Sequence, residues 1–209
     1  MRKIAAIDIG SNAVRMLICY VLMNEDEYFF QKNQYIRLPL RLGEDSFITG
    51  SISDDKINTL SNALLSFKHT MKVHGVEHYQ IYATSALRDS KNSNDVIKQI
   101  YDLTGMKIKL IDGLKEANVI AMGNPIEKLD VNKTYLYVDV GGGSTEYSIL
   151  RRGDDKKSKS FNIGTVRLIN NLFDESVFDE IKEWINENIE DDSKLKVWLQ
   201  VEILIKFRI

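Results

Sequence analysis

Three consecutive glycines inside an apolar run constrain this chain more than any other feature. Residues 135–150 read YLYVDVGGGSTEYSIL. The pattern predicts a strand over 135–140, a turn of Gly141, Gly142 and Gly143, then Ser144, Thr145 and Glu146 before a second strand at 147–150. A run apolar on both faces predicts a strand covered on both sides, and glycines let a backbone approach a ligand where a Cβ would collide. Successive N–H groups in such a turn form a concave anion site, to which the two hydroxyls add donors. Asp139 and Glu146 flank the loop as hard oxygen ligands, and the combination suits a phosphate bound with Mg²⁺. For the triplet alone, a glycine hairpin with solvated carboxylates is an equal alternative.

The N-terminus repeats the pattern. Ile7-Asp8-Ile9-Gly10-Ser11-Asn12 matches Val138-Asp139-Val140-Gly141 and the small residues after it: an apolar strand ending in Asp, an aliphatic residue, Gly, then another apolar strand. Such internal repetition predicts two similar half-molecules, each offering a phosphate-binding hairpin to a shared cleft.

At 209 residues, 44% of them hydrophobic and 28% charged, the chain is long enough to bury a sizeable core as one large or two small domains. A formal charge of −2 argues against a broad basic field, so phosphate recognition must be local and nucleic acid is not the expected partner. The single cysteine, Cys19, lies in an apolar strand and reads as a small core residue in a reducing compartment. Asp8 interrupts the N-terminal apolar run too early for a signal peptide, and no stretch approaches the ~20 apolar residues of a membrane span. A cytoplasmic protein without a membrane partner is expected.

In chain order, strands at 4–9, 14–21 and 28–36 form an antiparallel meander, followed by an irregular segment around Pro39 and Gly43. Arg15, just past the first loop, is within reach of a phosphate, though taken by itself a plain surface arginine is the stronger reading. Ile57, Leu60, Leu64, Phe67 and Met71 form a helical stripe that starts at the N-cap Ser53 and stops at Gly75. His69, His74 and His78 lack companion ligands for a metal site. A strand at 76–84 runs into Ser85-Ala86-Leu87-Arg88, which places Arg88 at a strand end, where open α/β sheets bind ligands. Helices follow at 94–104 and 115–122, with a short strand at 107–111 between them. From position alone, Glu116 complements the dipole of that last helix. Gly123-Asn124-Pro125 marks a domain boundary, giving lobes of 1–124 and 125–209. Beyond the glycine hairpin, a charged turn (151–159), a strand (160–163) and helical pattern from Val166 and from Phe178 complete the reading.

Six segments in order, AAIDIGSNAVRMLI, RLGEDSFITG, ATSALRDSKN, IDGLKEANVIAMG, YVDVGGGSTE and SFNIGTVRL, resemble the exopolyphosphatase and guanosine pentaphosphate phosphohydrolase family, within the superfamily of actin and sugar kinases. The resemblance implies an α/β, two-lobed actin-like fold with mixed sheets and a cleft between Ser11 and Gly142. It also implies hydrolysis of a terminal phosphoanhydride of polyphosphate or a guanosine polyphosphate. On this resemblance Glu116 matches the general base, reversing the reading from position. Asp139 and Glu146 match the Mg²⁺-binding carboxylates. Arg88, Ser144, Thr145 and the amides of Gly141, Gly142 and Gly143 match phosphate contacts, as do Ser11, Asn12 and Arg15 on the first lobe. A homodimer is compatible with it. Lys115, Asn118 and Ala13 depart from the family pattern and bear on binding strength and substrate choice. A binding or regulatory protein without catalysis is the second reading, and a kinase of the same superfamily the third.

Residues 195–209 do not resemble the family, and the second lobe is expected to be incomplete. Read one base out of frame, Leu199 to Phe207 permit Thr-Gly-Gly-Asn-Ile-Asn-Lys-Ile, close to a glycine motif that the family carries there. This predicts a frameshift shortly before Trp198.

Overall fold

The computed structural model describes residues 2–24, 27–113, 115–116, 130, 132–151, 157–189 and 195–201. The chain divides into two compact units, Met1–Ile111 and Asp112–Ile209. The boundary expected at Gly123-Asn124-Pro125 lies outside the described residues, as do most of the helix expected at 115–122 and the tail at 202–209.

The first unit is built on a five-stranded mixed sheet. Strands β1 (Arg2–Ile9), β2 (Val14–Asn24) and β3 (Glu27–Leu38) form the expected antiparallel meander. Strands β4 (His78–Ala83) and β5 (Lys109–Leu110) add in parallel, giving the order β3-β2-β1-β4-β5. The parallel pairs require crossover connections, which the helices supply. Helix α2 (Asp54–His74) starts at Ser53, whose hydroxyl accepts from Lys56 N, and stops at Gly75 in the left-handed conformation, φ 67°. Its buried stripe of Ile57, Leu60, Leu64, Phe67 and Met71 joins Ile7, Ile9, Met16 and Ile81 of the sheet in one core. Burying each such side chain contributes about 1.5–3 kcal/mol before chain entropy is counted.

Helix α4 (Ser93–Thr104) ends at Gly105, φ 68°, and buries Val96 and Ile100 in the same core. Two short helices form that were not expected: α1 (Leu42–Ile48), in the segment read as irregular, and α3 (Ser85–Arg88), directly after β4. Neither has a side-chain cap, and each is too short to show a period.

The second unit carries a four-stranded sheet of order β8-β7-β6-β9. Strands β6 (Thr134–Val140), β7 (Thr145–Leu150) and β8 (Lys157–Phe161) are antiparallel neighbours, and β9 (Leu195–Val201) pairs with β6 in parallel. Helix α5 (Thr165–Ile169) follows β8, and helix α6 (Ser176–Asn188) covers the sheet. Trp184 joins two small cores, one around Leu136, Val138 and Ile149, the other around Phe161, Ile163 and Val177. Phe161, Tyr147 and Trp184 meet edge to face at centroid distances of 5.3–6.4 Å.

Candidate active site

Each unit closes its first hairpin with the same turn. Gly10 N donates to Ala13 O (3.0 Å), and Gly141 N donates to Ser144 O (2.9 Å). A Cβ on either glycine would lie 3.2 Å from that carbonyl oxygen, which is why a glycine opens both turns. The repeat read in the sequence is therefore a repeat of backbone geometry.

What faces the aspartate differs between the two hairpins. Asp8 lies opposite Arg15, with Nη1 and Oδ2 3.6 Å apart. Asp139 lies opposite Glu146. Side chains directly opposite in an antiparallel pair share one face, and like charges there repel. Glu146 is only 2% exposed, and its Oε1 accepts a hydrogen bond of 2.8 Å from Ser160 Oγ on β8. Two hard carboxylates side by side, one of them buried, have the donor chemistry of a divalent-cation site. Tyr137, two residues before Asp139, has its hydroxyl pKa raised by burial and, to a lesser degree, by the Asp139 charge.

Glu116 belongs to the second unit and is helical. Its turn is capped by Asp112, whose Oδ1 accepts from Lys115 N (2.7 Å) while its carbonyl accepts from Glu116 N (2.9 Å). Glu116 is half-buried, with Oε2 withdrawn from solvent. Gly113, in the same turn, packs on β8 so closely that a Cβ would sit 2.6 Å from Ser160 Cβ. Ser160 therefore touches the Glu116 turn on one side and holds Glu146 on the other.

In the first unit, Ser11 Oγ and Ser85 Oγ share a hydrogen bond of 3.0 Å, tying the first loop to α3. Ser11 and Asn12 are 3% and 1% exposed, and their carbonyls accept from Gly43 N and Arg41 N, each at 2.8 Å. Arg88 ends α3, with Nε 3.0 Å from Asp89 Oδ1 and Nη1 donating to Ile111 O at 3.0 Å. Ser11, Asn12, Arg15 and Arg88 thus gather where the parallel neighbours β1 and β4 end, the edge at which open α/β sheets take ligands.

In the second unit, Ser144 and Thr145 are 3% and 4% exposed. Thr145 Oγ1 donates to Ile163 O at 2.5 Å, which ties β7 to the approach to α5. Gly113, Ser160, Gly164 and Arg167 were not singled out as functional from the sequence. Their signal was the motif SFNIGTVRL and the Asp112-Gly113 pair, which show small residues but not what approaches them.

Two sheets, each bearing the same aspartate-glycine hairpin, define a duplicated protein of the actin-like α/β class. The sequence matches the Ppx/GppA phosphatase family over residues 22–200, and the chain belongs to that family. It is similar to the bifunctional 3-dehydroquinate synthase/phosphatase of Fusobacterium nucleatum, with 33% identity over 200 residues, 90% of this chain and 30% of that one. It is similar to exopolyphosphatase 2 of Mycobacterium tuberculosis, with 30% identity covering 80% of this chain and 54% of that one. The crystal structure of an exopolyphosphatase from Cytophaga hutchinsonii superposes with a TM-score of 0.72 at 25% identity, covering 89% of this chain and 60% of that one. The chain thus spans less than two thirds of the length of each of these proteins. Among the described residues no helix is long and apolar enough to cross a membrane.

Proposed function

We propose that this chain is a hydrolase that releases the terminal phosphate of inorganic polyphosphate, or of a guanosine polyphosphate, by attack of water. Asp139 and Glu146 would hold Mg²⁺, which supplies positive charge against the phosphoryl oxygens. The glycine turn and Ser144 bind phosphate through backbone N–H groups and a hydroxyl. Ser11, Asn12, Arg15 and Arg88 add phosphate contacts on the first unit, where Arg88 is pre-oriented by Asp89 and Ile111 O. Glu116 orients the attacking water and takes its proton.

The main support is the link through Ser160. One serine touches Gly113 in the Glu116 turn and donates to Glu146, so the carboxylate assigned as base and the one assigned to the cation belong to one local assembly. Family membership supports phosphoanhydride chemistry, and the name of the Mycobacterium tuberculosis relative supports polyphosphate as the first substrate to assay.

The test is phosphate release from polyphosphate and from guanosine pentaphosphate, with and without Mg²⁺. Glu116→Gln should fold normally and lower turnover about 10²-fold or more. Near-normal hydrolysis by that variant removes Glu116 from the mechanism. A protein that binds these ligands but has no turnover is the second reading, favoured by Lys115 standing beside Glu116 where the family often carries an acid. It predicts tight binding of polyphosphate and no phosphate release.

A further inference from the structure

Helix α5 holds the glycine turn from behind at three successive points. Thr165 N donates to Gly141 O (2.9 Å), Val166 N to Gly142 O (2.8 Å) and Arg167 Nε to Gly143 O (2.8 Å). Contact between the two segments is close. A Cβ on Gly164 would lie 2.6 Å from the carbonyl carbon and oxygen of Gly142 and 2.7 Å from Gly143 N.

A trans peptide is planar and points its N–H opposite to its C=O. The backbone contains no cis peptide bond among the described residues. Fixing the carbonyls of Gly141, Gly142 and Gly143 toward α5 therefore aims the N–H groups of Gly142, Gly143 and Ser144 to the other side. Glycine peptides have the widest choice of orientation, so each one left unheld would sample several. Two of the three holds are backbone donors, which any sequence supplies. The third is a side chain. In the first unit the corresponding carbonyl, Asn12 O, accepts from a backbone N–H, that of Arg41. The second unit has put the orientation of its last turn peptide under the control of one half-buried residue.

We infer that Arg167 is a positioning residue for phosphate binding: by holding Gly143 O it fixes the Gly143–Ser144 peptide so that the Ser144 N–H is preorganised as an anion donor. This rests on the proposal above that the glycine turn is the phosphate site. The competing role for an arginine here is direct attraction of the anion by its charge, and one substitution separates the two. Gln Nε2 stands the same number of bonds from Cα as Arg Nε, so Arg167→Gln keeps a donor for Gly143 O and removes the charge, whereas Arg167→Ala removes both.

The experiment uses the full chain and tripolyphosphate with Mg²⁺ as probe. Binding is measured by calorimetry, and backbone order at Ser144 by ¹⁵N relaxation in the ligand-free protein. Arg167→Ala should weaken tripolyphosphate binding about 3- to 10-fold, the range of one hydrogen bond. Its Ser144 amide should drop from the rigid backbone range, about 0.85, toward 0.6 in order parameter. Arg167→Gln should stay within about twofold of the parent in affinity and keep Ser144 rigid.

Unchanged affinity and order in Arg167→Ala overturns the inference, as does an Arg167→Gln variant as weak as the alanine one. Should the alanine variant not fold, Arg167→Gln decides alone, and loss of Ser144 order in it overturns the inference. If the parent chain neither binds tripolyphosphate nor releases phosphate, the proposed function falls, while Ser144 relaxation still decides whether Arg167 holds the turn.

Discussion

Glu146 keeps its carboxylate almost out of water, at 2% exposure and directly opposite Asp139, and Ser160 is one neighbour that makes this tolerable. A buried carboxylate needs hydrogen bonds to its charged form, and a bond of this kind contributes about 1.5–3 kcal/mol. Ser160→Ala should therefore leave the sheet intact, since Ser160 sits in a regular β7–β8 ladder opposite Glu146. Its effect should fall on cation binding instead. The Mg²⁺ concentration for half-maximal phosphate release is expected to rise about 3- to 10-fold, by the loss of one hydrogen bond to the carboxylate proposed to hold the cation. A titration of activity against Mg²⁺ reads this directly, and an unchanged midpoint would show that Ser160 does not orient Glu146. The sequence shows Asp139 and Glu146 because they flank the glycines. It does not show Ser160, which lies 14 residues further on and meets Glu146 only through strand pairing.

At the scale of elements, what was legible divides by length. Helices α2 and α4 could be read from period and punctuation, because each runs for several turns between a polar start and a glycine at φ 67° or 68°. Helices α1 and α3 span seven and four residues, too short for a period to emerge, and local sequence does not separate them from turns, whereas α5 stands where helical pattern was read from Val166 and runs for five. In the glycine hairpin, Thr145 and Glu146 belong to β7 rather than the turn, because the turn closes at once through Gly141 N and Ser144 O. The contact between α5 and that turn was invisible because it joins segments far apart in sequence. Gly164 is where it is most exposed to test. Its φ of −159° is extended backbone open to any residue, so the cost of a side chain there is purely steric. Gly164→Ala places a Cβ 2.6 Å from the Gly142 carbonyl, and backbone cannot rotate aside as a side chain can. Chemical denaturation should show a loss of about 1–3 kcal/mol, the usual range for overpacking. Phosphate release should fall with it, because the displaced atoms belong to the turn proposed to bind phosphate. Full activity together with parental stability would mean that α5 and the turn can separate without consequence.

The molecule as a whole is two units of unequal construction. The first has a single continuous core that draws on β1, β2, β4, α2, α3 and α4, with Ile9, Val14, Met16, Leu60, Leu64, Leu87 and Ile100 at 0% exposure. Among its described residues the second shows two small clusters, and its β9 presents Val197, Trp198 and Leu199 at 57%, 41% and 65% exposure. The core cluster of the first unit is drawn wholly from residues 1–111. A unit that owns its core is able to fold by itself. A chain of residues 1–111 should therefore be monomeric and melt in one cooperative step, followed by near-UV and far-UV circular dichroism together. Coincident transitions support autonomy, whereas a fragment with helical signal but no fixed aromatic environment would show that the first unit needs the second to set its packing. The prediction follows from the duplicated hairpin as well as from burial, since each copy of the motif lies in a sheet of its own.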